Sequence, residues 1–213
     1  MGQLGYGNAS RSILPFLLEK NYLDSLLPEM QSYPYADNNT QEAVDEINQL
    51  IISTNNLDSN EEIKKRYLFY DENFQNHIVD ILSARNIPKE EIIALINDLN
   101  ADINPLLLKL KYFYQRVRPH QLAYIFEMKL YPYDSTHIDT PSYPSGIALK
   151  SRLFCEVLGN KYPLYYTQLL QLADDISNSR IMLGLNYPSD CGFSGYIASV
   201  VMLHPEFKKK YRL

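Results

Sequence analysis

The sequence predicts an all-α protein, a bundle of about seven or more helices, because three observations agree. Apolar residues after residue 40 recur every three or four positions, a period that places them on one face of a helix. Helix-start signals precede several of these segments, and few segments show the alternating pattern typical of strands. The length of 213 residues and the 46% hydrophobic content suit one globular domain.

The N-terminal residues 1–40 predict an irregular arm, because Gly, Asn, Ser and Pro are frequent there. A short helix near 12–27 is the one regular element expected in it. Such an arm contacts a protein partner or a second copy of the chain, or it wraps around its own domain, and both interpretations stay open. Residues 41–213 are expected to form a single helical domain.

Local signals mark the starts of the predicted helices. Ser59 with Glu62 forms a capping-box pattern, and Pro88 occupies a typical first helical position. Asn104 followed by Pro105 predicts a further cap and helix start. The helices expected after the arm cover residues 41–53, two segments that begin near 59 and 88, and residues 105–118, 145–158, 164–184 and 191–203.

Two segments lie outside this helical pattern. The tyrosine-rich residues 124–144 are broken by prolines and predict a long loop, a kind of segment that often carries function in compact domains. The basic tail, residues 208–212, is expected to be solvated.

The composition argues against several classes of protein. A net charge of −5 gives no basic character that would suggest nucleic acid as a partner. The sequence contains no long apolar run and no signal-peptide pattern, so we expect no membrane insertion and no secretion. Cys155 and Cys191 are expected to be reduced thiols, which suits the cytoplasm or a soluble particle such as a virion.

Two cations in the middle of the chain are spaced to share one face of a helix. Lys111 and Arg118 are separated by six residues, so they lie close to two turns apart. A lysine and a bidentate arginine about 10 Å apart can bracket an oxyanion of the size of phosphate. Alone, such a pair more often belongs to a solvated helix face.

Two later motifs offer further anion-binding groups. Ser145 and Gly146 stand at a predicted helix start, where a hydroxyl and free N–H groups can hold an anion or simply cap the helix. Arg180, after Ser179, is followed by five residues and Asn186, and then by three residues and Asp190. The apolar stripe of the same predicted helix leaves Arg180 able to face a central pocket.

In order, these motifs resemble the three signatures of the type-2 phosphatidic acid phosphatase superfamily, which includes soluble class A acid phosphatases and vanadium haloperoxidases. The resemblance covers roughly residues 105–203. It implies a helical core like that of the soluble acid phosphatases, around a pocket for phosphate or vanadate. The phosphate-binding positions that it implies are Lys111, Arg118, Ser145, Gly146 and Arg180.

The sequence departs from this family at the two positions that make and break bonds. Asn186 stands where the family has its nucleophilic histidine, and Ile147 stands where it has the histidine that acts as general acid. Asp190 keeps the position of the carboxylate that orients the nucleophile. An amide nitrogen is no nucleophile at neutral pH, and isoleucine cannot transfer a proton. The resemblance therefore implies a phosphatase fold without the ancestral chemistry.

Three functions remain open on this basis. The first is a pseudoenzyme kept as a binding, assembly or structural module with a residual phosphate-binding pocket. The second is an active phosphomonoesterase or haloperoxidase, with His120 or His137 approaching the pocket. The third is a structural component of a larger particle such as a virion. No metal or cofactor is expected beyond phosphate or vanadate in the pocket.

The charges of the pocket lead to two alternatives. Asp190 is the one obvious counter-charge for Lys111, Arg118 and Arg180, and buried like charges are unfavourable unless they are paired. The pocket therefore either stays open to an anion or is closed by Asp190 turning toward one of these arginines.

Overall fold

The computed structural model describes residues 5–35 and 37–213, and every regular element among them is helical. No β-strand occurs in this part of the chain, which confirms the predicted all-α class. The 3-10 helices cover Tyr22–Leu26 and Pro163–Tyr165. The α-helices are α1 (Leu14–Leu18), α2 (Leu27–Gln31), α3 (Gln41–Asp58), α4 (Glu61–Ser83), α5 (Lys89–Tyr114), α6 (Pro119–Ile125), α7 (Gly146–Lys161), α8 (Tyr166–Met182), α9 (Pro188–Leu203) and α10 (Pro205–Tyr211).

Helix α7 lies at the centre of the bundle, in contact with α4, α5, α8 and α9. Its side chains Leu153 and Phe154 are fully buried and share one hydrophobic cluster with Ile176 of α8 and Phe193 of α9. Full burial of an apolar side chain of this size contributes about 1.5–3 kcal/mol. The start of α7, which carries the second motif, is therefore held in place from several sides.

Helix α5 runs unbroken from Lys89 to Tyr114, so the new helix predicted to start at Asn104 and Pro105 is wrong. Proline inside a helix removes one backbone hydrogen bond and costs about 3 kcal/mol. Pro105 is itself buried, and Leu106 beside it is fully buried. Packing of this face against the core explains why the helix continues through the proline.

One other local prediction is also wrong. The cap of α4 is Asn60 and not Ser59, because the Asn60 side chain accepts the hydrogen bond from the Ile63 N–H at 3.2 Å. The basic tail is exposed at its lysines and at Arg212, as predicted, but it is also helical, because most of it belongs to α10. Phe207 of α10 is fully buried, and the Lys210 ammonium lies 2.7 Å from an Asp102 carboxylate oxygen.

The described part of the N-terminal arm packs on its own chain. Leu23 and Met30 are fully buried in the same hydrophobic cluster as the central helices. Asn21 caps the first 3-10 helix and donates to the Asp102 carbonyl at 2.8 Å. The single helix expected near 12–27 is divided into α1 and a 3-10 helix. Whether the arm also contacts a partner remains a prediction.

The longest helices of the described chain carry too many polar residues to cross a membrane, and no helix there is long and apolar enough to span one.

Candidate functional site

The three motifs come together around one cavity of about 260 Å³, which lies between α4, α5, α7 and α8. Its wall is built from α4 and α5, the first turns of α7, the end of α8 and the segments that follow α5, α6 and α8. Six of the eight predicted site residues line it, namely Lys111, Arg118, Gly146, Ile147, Arg180 and Asn186. The other two, Ser145 and Asp190, lie fully buried behind the cavity wall and are hydrogen-bonded to Asn186.

Lys111 enters the cavity from the last turn of α5 and is almost fully buried. Its ammonium donates a short hydrogen bond to the carbonyl of Pro141. Burial and the nearby Arg118 guanidinium hold the pKa of Lys111 well below its ordinary value. Gly146 allows the start of α7 to approach α5 here, because a Cβ at residue 146 would lie 3.2 Å from Leu107 Cδ2.

Arg118 does not share a helix with Lys111, which corrects the predicted two-turn spacing. Helix α5 ends at Tyr114, Gln115 adopts a left-handed conformation with φ of 49°, and Arg118 is the extended residue before α6. The buried guanidinium donates to the carbonyls of Thr140 (2.9 Å), Leu185 (3.0 Å) and His137 (3.2 Å). Burial lowers the pKa of Arg118. Arg118 thus still reaches the cavity with Lys111, although by a different route.

The third motif is folded by a tight turn after α8. Gly184 has φ of 73°, a conformation that costs glycine little, and it reverses the chain at this point. The N–H groups of Leu185 and Asn186 both donate to the Arg180 carbonyl, at 3.0 and 3.2 Å. This turn brings Asn186 back to the Arg180 side chain.

Asn186 is the hub of the buried hydrogen-bond network behind the cavity. Its Oδ1 accepts from Arg180 Nε at 3.2 Å and from the Ser145 hydroxyl at 3.3 Å. Its Nδ2 donates to Asp190 Oδ2 and to the Ser142 carbonyl, both at 3.0 Å. The amide therefore uses its donors and acceptors to join the second motif to the third rather than to present a nucleophile.

Ser145 acts as the N-cap of α7, which is the simpler of the two roles that the sequence suggested for it. Its hydroxyl accepts the Ala148 N–H at 3.4 Å while it donates to Asn186. Ile147, the second residue of α7, is buried and gives the cavity an apolar wall at the position of the family's general acid.

Asp190 pairs with Arg116, a residue that the sequence analysis did not single out. The Arg116 guanidinium lies 2.8 Å from Asp190 Oδ1 and 2.7 Å from Glu46 Oε2, and it stacks on the Tyr187 ring at 3.7 Å. Burial opposes the charge of Arg116, but the two carboxylates outweigh burial and raise its pKa. Asp190 has therefore turned to an arginine outside the cavity lining, so the predicted closure by Asp190 is wrong, and the open pocket stays a prediction.

Arg180 has a counter-charge that was also missed. Its guanidinium forms an ion pair with Asp71 of α4, and both side chains are almost fully buried. The expectation that Asp190 is the one obvious counter-charge is therefore wrong. Both missed acids lie on predicted core faces of helices: Asp71 is beside Tyr70 and Phe74, and Glu46 is beside Ile47. An acid on such a stripe is the signal that could have identified them.

Two histidines and one lysine complete the picture. His137 lines the cavity, whereas His120 lies outside it. Burial lowers the pKa of both imidazoles, and the Arg118 guanidinium adds to the effect. Lys150, which was not predicted, lines the cavity from the second turn of α7. Asp139 is the one acidic residue among the described residues of the lining.

Comparisons with known proteins add no family assignment. The chain matches no protein-family model, and no curated protein matches it.

Proposed function

We propose that the cavity binds a phosphate-like oxyanion and that the chain does not hydrolyse phosphate esters. The protein would then be a degenerate member of the type-2 phosphatidic acid phosphatase superfamily, kept as a binding, assembly or structural module. The main support is one observation. Lys111 and Arg118 are buried at the cavity and, within the described chain, their hydrogen-bond partners are main-chain carbonyls and not carboxylates.

The energetics of these two cations favour an anionic ligand. A carbonyl oxygen orients a cation but leaves its charge in place, and burying an unpaired charge is costly. An oxyanion in the cavity would offset this cost with charge-assisted hydrogen bonds, which are stronger than neutral ones. Gly146 at the start of α7 adds the positive end of a helix dipole.

The proposed lack of hydrolysis rests on Asn186 and Ile147. Neither side chain can supply a nucleophile or a proton, and Asn186 is fully engaged in hydrogen bonds. The alternative, an active phosphomonoesterase, draws its support from His137, because this imidazole lines the same cavity. A structural role in a larger particle is compatible with either site chemistry.

Anion binding is tested by thermal unfolding in phosphate. A ligand at ten times its Kd stabilises the folded state by about 1.4 kcal/mol, which raises the Tm of a domain of this size by roughly 3–6 °C. We expect this shift in the wild type and in Lys109→Met, whose lysine lies on α5 outside the cavity lining. We expect no shift in Lys111→Met. Equal behaviour of all three proteins would contradict the proposal.

Hydrolysis is tested with a generic aryl phosphate. We expect no turnover above background in the wild type, and we would compare it with the double reversion Asn186→His and Ile147→His. A turnover number near about 1 s⁻¹ that Arg180→Ala abolishes would overturn the pseudoenzyme proposal. Loss of that turnover in His137→Ala would identify the alternative enzyme.

A further inference from the structure

We propose that Lys150 is a reactive amine that forms a reversible imine with a small phosphorylated aldehyde or ketone, whose phosphate occupies the Lys111 and Arg118 end of the cavity. This inference rests on the proposed anion site and extends it to a class of ligand. It also assigns a chemical role to a residue outside the three motifs.

The position of Lys150 gives it access to the ligand. It follows Ile147 by one helical turn on α7, and residues three apart share a helix face. Both residues line the cavity together with Lys111 and Arg118. The residue is half-buried at the place where it lines the cavity.

The amine of Lys150 has no partner in the described chain, where it makes no hydrogen bond and no ion pair. The lysine at the end of the same helix differs, because Lys161 lies 2.5 Å from a Glu91 oxygen. Lys111 is likewise engaged, by the Pro141 carbonyl. An enclosed amine without a partner is free to meet a ligand group.

The surroundings of Lys150 favour its neutral, nucleophilic form. Burial lowers its pKa to about 8, so half of the amine is neutral at that pH, against about 0.3% for a lysine with a pKa of 10.5. Desolvation and neighbouring cations are the means by which proteins activate lysine toward carbonyl groups. Lys150 also lies close enough to Lys111 for its charge to lower the pKa of Lys111.

The shape of the cavity suggests a ligand larger than phosphate. A volume of about 260 Å³ exceeds the needs of one phosphate group, since a water molecule takes about 30 Å³. The remaining wall contains the apolar side chains of Phe74, Leu108 and Ile147. A short carbon chain attached to the phosphate would lie against this wall, with its carbonyl group at Lys150.

The proposed step is balanced without any further reactant. The lone pair of the neutral Lys150 amine attacks the carbonyl carbon, and the carbonyl π electrons move to oxygen, which takes up a proton. The amine nitrogen gives up one proton to form the neutral carbinolamine. The carbinolamine hydroxyl then takes up a second proton and leaves as water, while the nitrogen lone pair forms the C=N bond and the nitrogen gives up its remaining proton. One C=N bond replaces one C=O bond, and addition of water reverses the reaction.

The test uses glycolaldehyde phosphate as the probe, with borohydride to reduce the imine and mass spectrometry of peptides to find the modified lysine. We expect modification at Lys150, at least tenfold faster than with glycolaldehyde, which lacks the phosphate. Inorganic phosphate should compete with it. The Lys161→Met protein should be modified normally at Lys150, and Lys150→Met should lose the modification while its Tm still rises with phosphate.

The remaining outcomes separate this inference from the proposed function. No modification at Lys150 in a protein whose Tm rises with phosphate overturns the imine alone. Equal modification by both aldehydes, without competition by phosphate, overturns the phosphorylated ligand. If phosphate also leaves the Tm unchanged, the proposed anion site falls as well.

Discussion

Two arginines that are only two residues apart meet opposite environments in this protein. Arg116 is fully buried between two carboxylates, those of Glu46 and Asp190. Arg118 is equally buried, but its guanidinium donates to three main-chain carbonyls, and it faces the cavity with Lys111. In the first cluster, Arg116 with Glu46 and Asp190, carboxylates of the fold neutralise the charge of the arginine. In the second, Lys111 with Arg118, no carboxylate of the described chain forms an ion pair with either side chain.

This difference separates a structural site from a candidate binding site. Carboxylates that surround a buried arginine neutralise its charge within the folded protein, so removing one of them should lower the free energy of unfolding. Carbonyls hold a cation in position without cancelling its charge, so the loss of that cation should be felt mainly in ligand binding. Substitutions in the two clusters should therefore have opposite signatures.

The largest effect is expected for Asp190→Ala. Asp190 bonds to Arg116, Asn186, the Ser142 hydroxyl and the Tyr187 N–H, and all of these contacts would be lost. Removing one partner of a buried ion pair typically costs about 3–5 kcal/mol. Urea denaturation should show a loss of this size. A loss below about 1 kcal/mol would mean that the first cluster is not structural.

Much of the fold could be predicted from the sequence, because helix periodicity is a local signal. The helices predicted over 41–53, 145–158, 164–184 and 191–203 are all present, with somewhat different ends. The errors arise where tertiary packing outweighs a local signal. Pro105 marks a helix start by itself, but Ile103 and Leu106, which are fully buried on either side of it, keep it inside α5.

The candidate site was predictable as a set of positions but not as a set of contacts. The resemblance to the phosphatase superfamily implied a shared pocket for Lys111, Arg118 and Arg180, and all three line one cavity. The pairing of charges depends on which distant helices meet, and no local pattern reports it. Asp71 and Glu46 lie more than seventy residues before the motif residues that they contact, Arg180 and Ser189.

A smaller loss, about 2 kcal/mol, is expected for Glu46→Gln. The change keeps a side chain of the same shape and one acceptor, but it removes one of the two charges opposite Arg116. The Ser189 N–H and hydroxyl donate to different Glu46 oxygens, at 2.7 and 2.9 Å, so the single amide oxygen of glutamine can replace only one of these two acceptors. Urea denaturation at pH 7 measures the loss, and the Tm shift with phosphate should stay as in the wild type. A lost phosphate response would show that the two clusters are coupled.

A pH-dependent gain in stability is expected for Lys150→Met. The pKa of Lys150 is about 8 in the folded protein and about 10.5 when unfolded, so the unfolded chain binds more protons between these values. Wild-type stability should therefore rise from pH 8 toward 10.5 as the cost of this buried charge disappears. The variant lacks that cost, and its advantage should be about 1–2 kcal/mol below pH 8, after allowance for partial exposure.

Unfolding curves of Lys150→Met and the wild type, measured side by side from pH 6 to 10, test this expectation. The difference between the two proteins cancels the titration of the many tyrosines, and Lys161→Met provides a control on the same helix. A difference that stays constant over the whole range would show that Lys150 titrates as an ordinary exposed lysine.

The smallest change in stability is expected for Lys111→Met, and it is the sharpest test of the difference between the clusters. The variant loses a hydrogen bond to the Pro141 carbonyl, and an unsatisfied buried acceptor costs about 1–3 kcal/mol. It also removes a buried cation that has no carboxylate partner and is opposed by Arg118, and this gain offsets the loss. We expect an unfolding free energy within about 1 kcal/mol of the wild type, together with no phosphate-induced rise in Tm. A loss of 3 kcal/mol or more, of the size expected for Asp190→Ala, would show that Lys111 is as structural as Arg116 and that the two clusters do not differ in role.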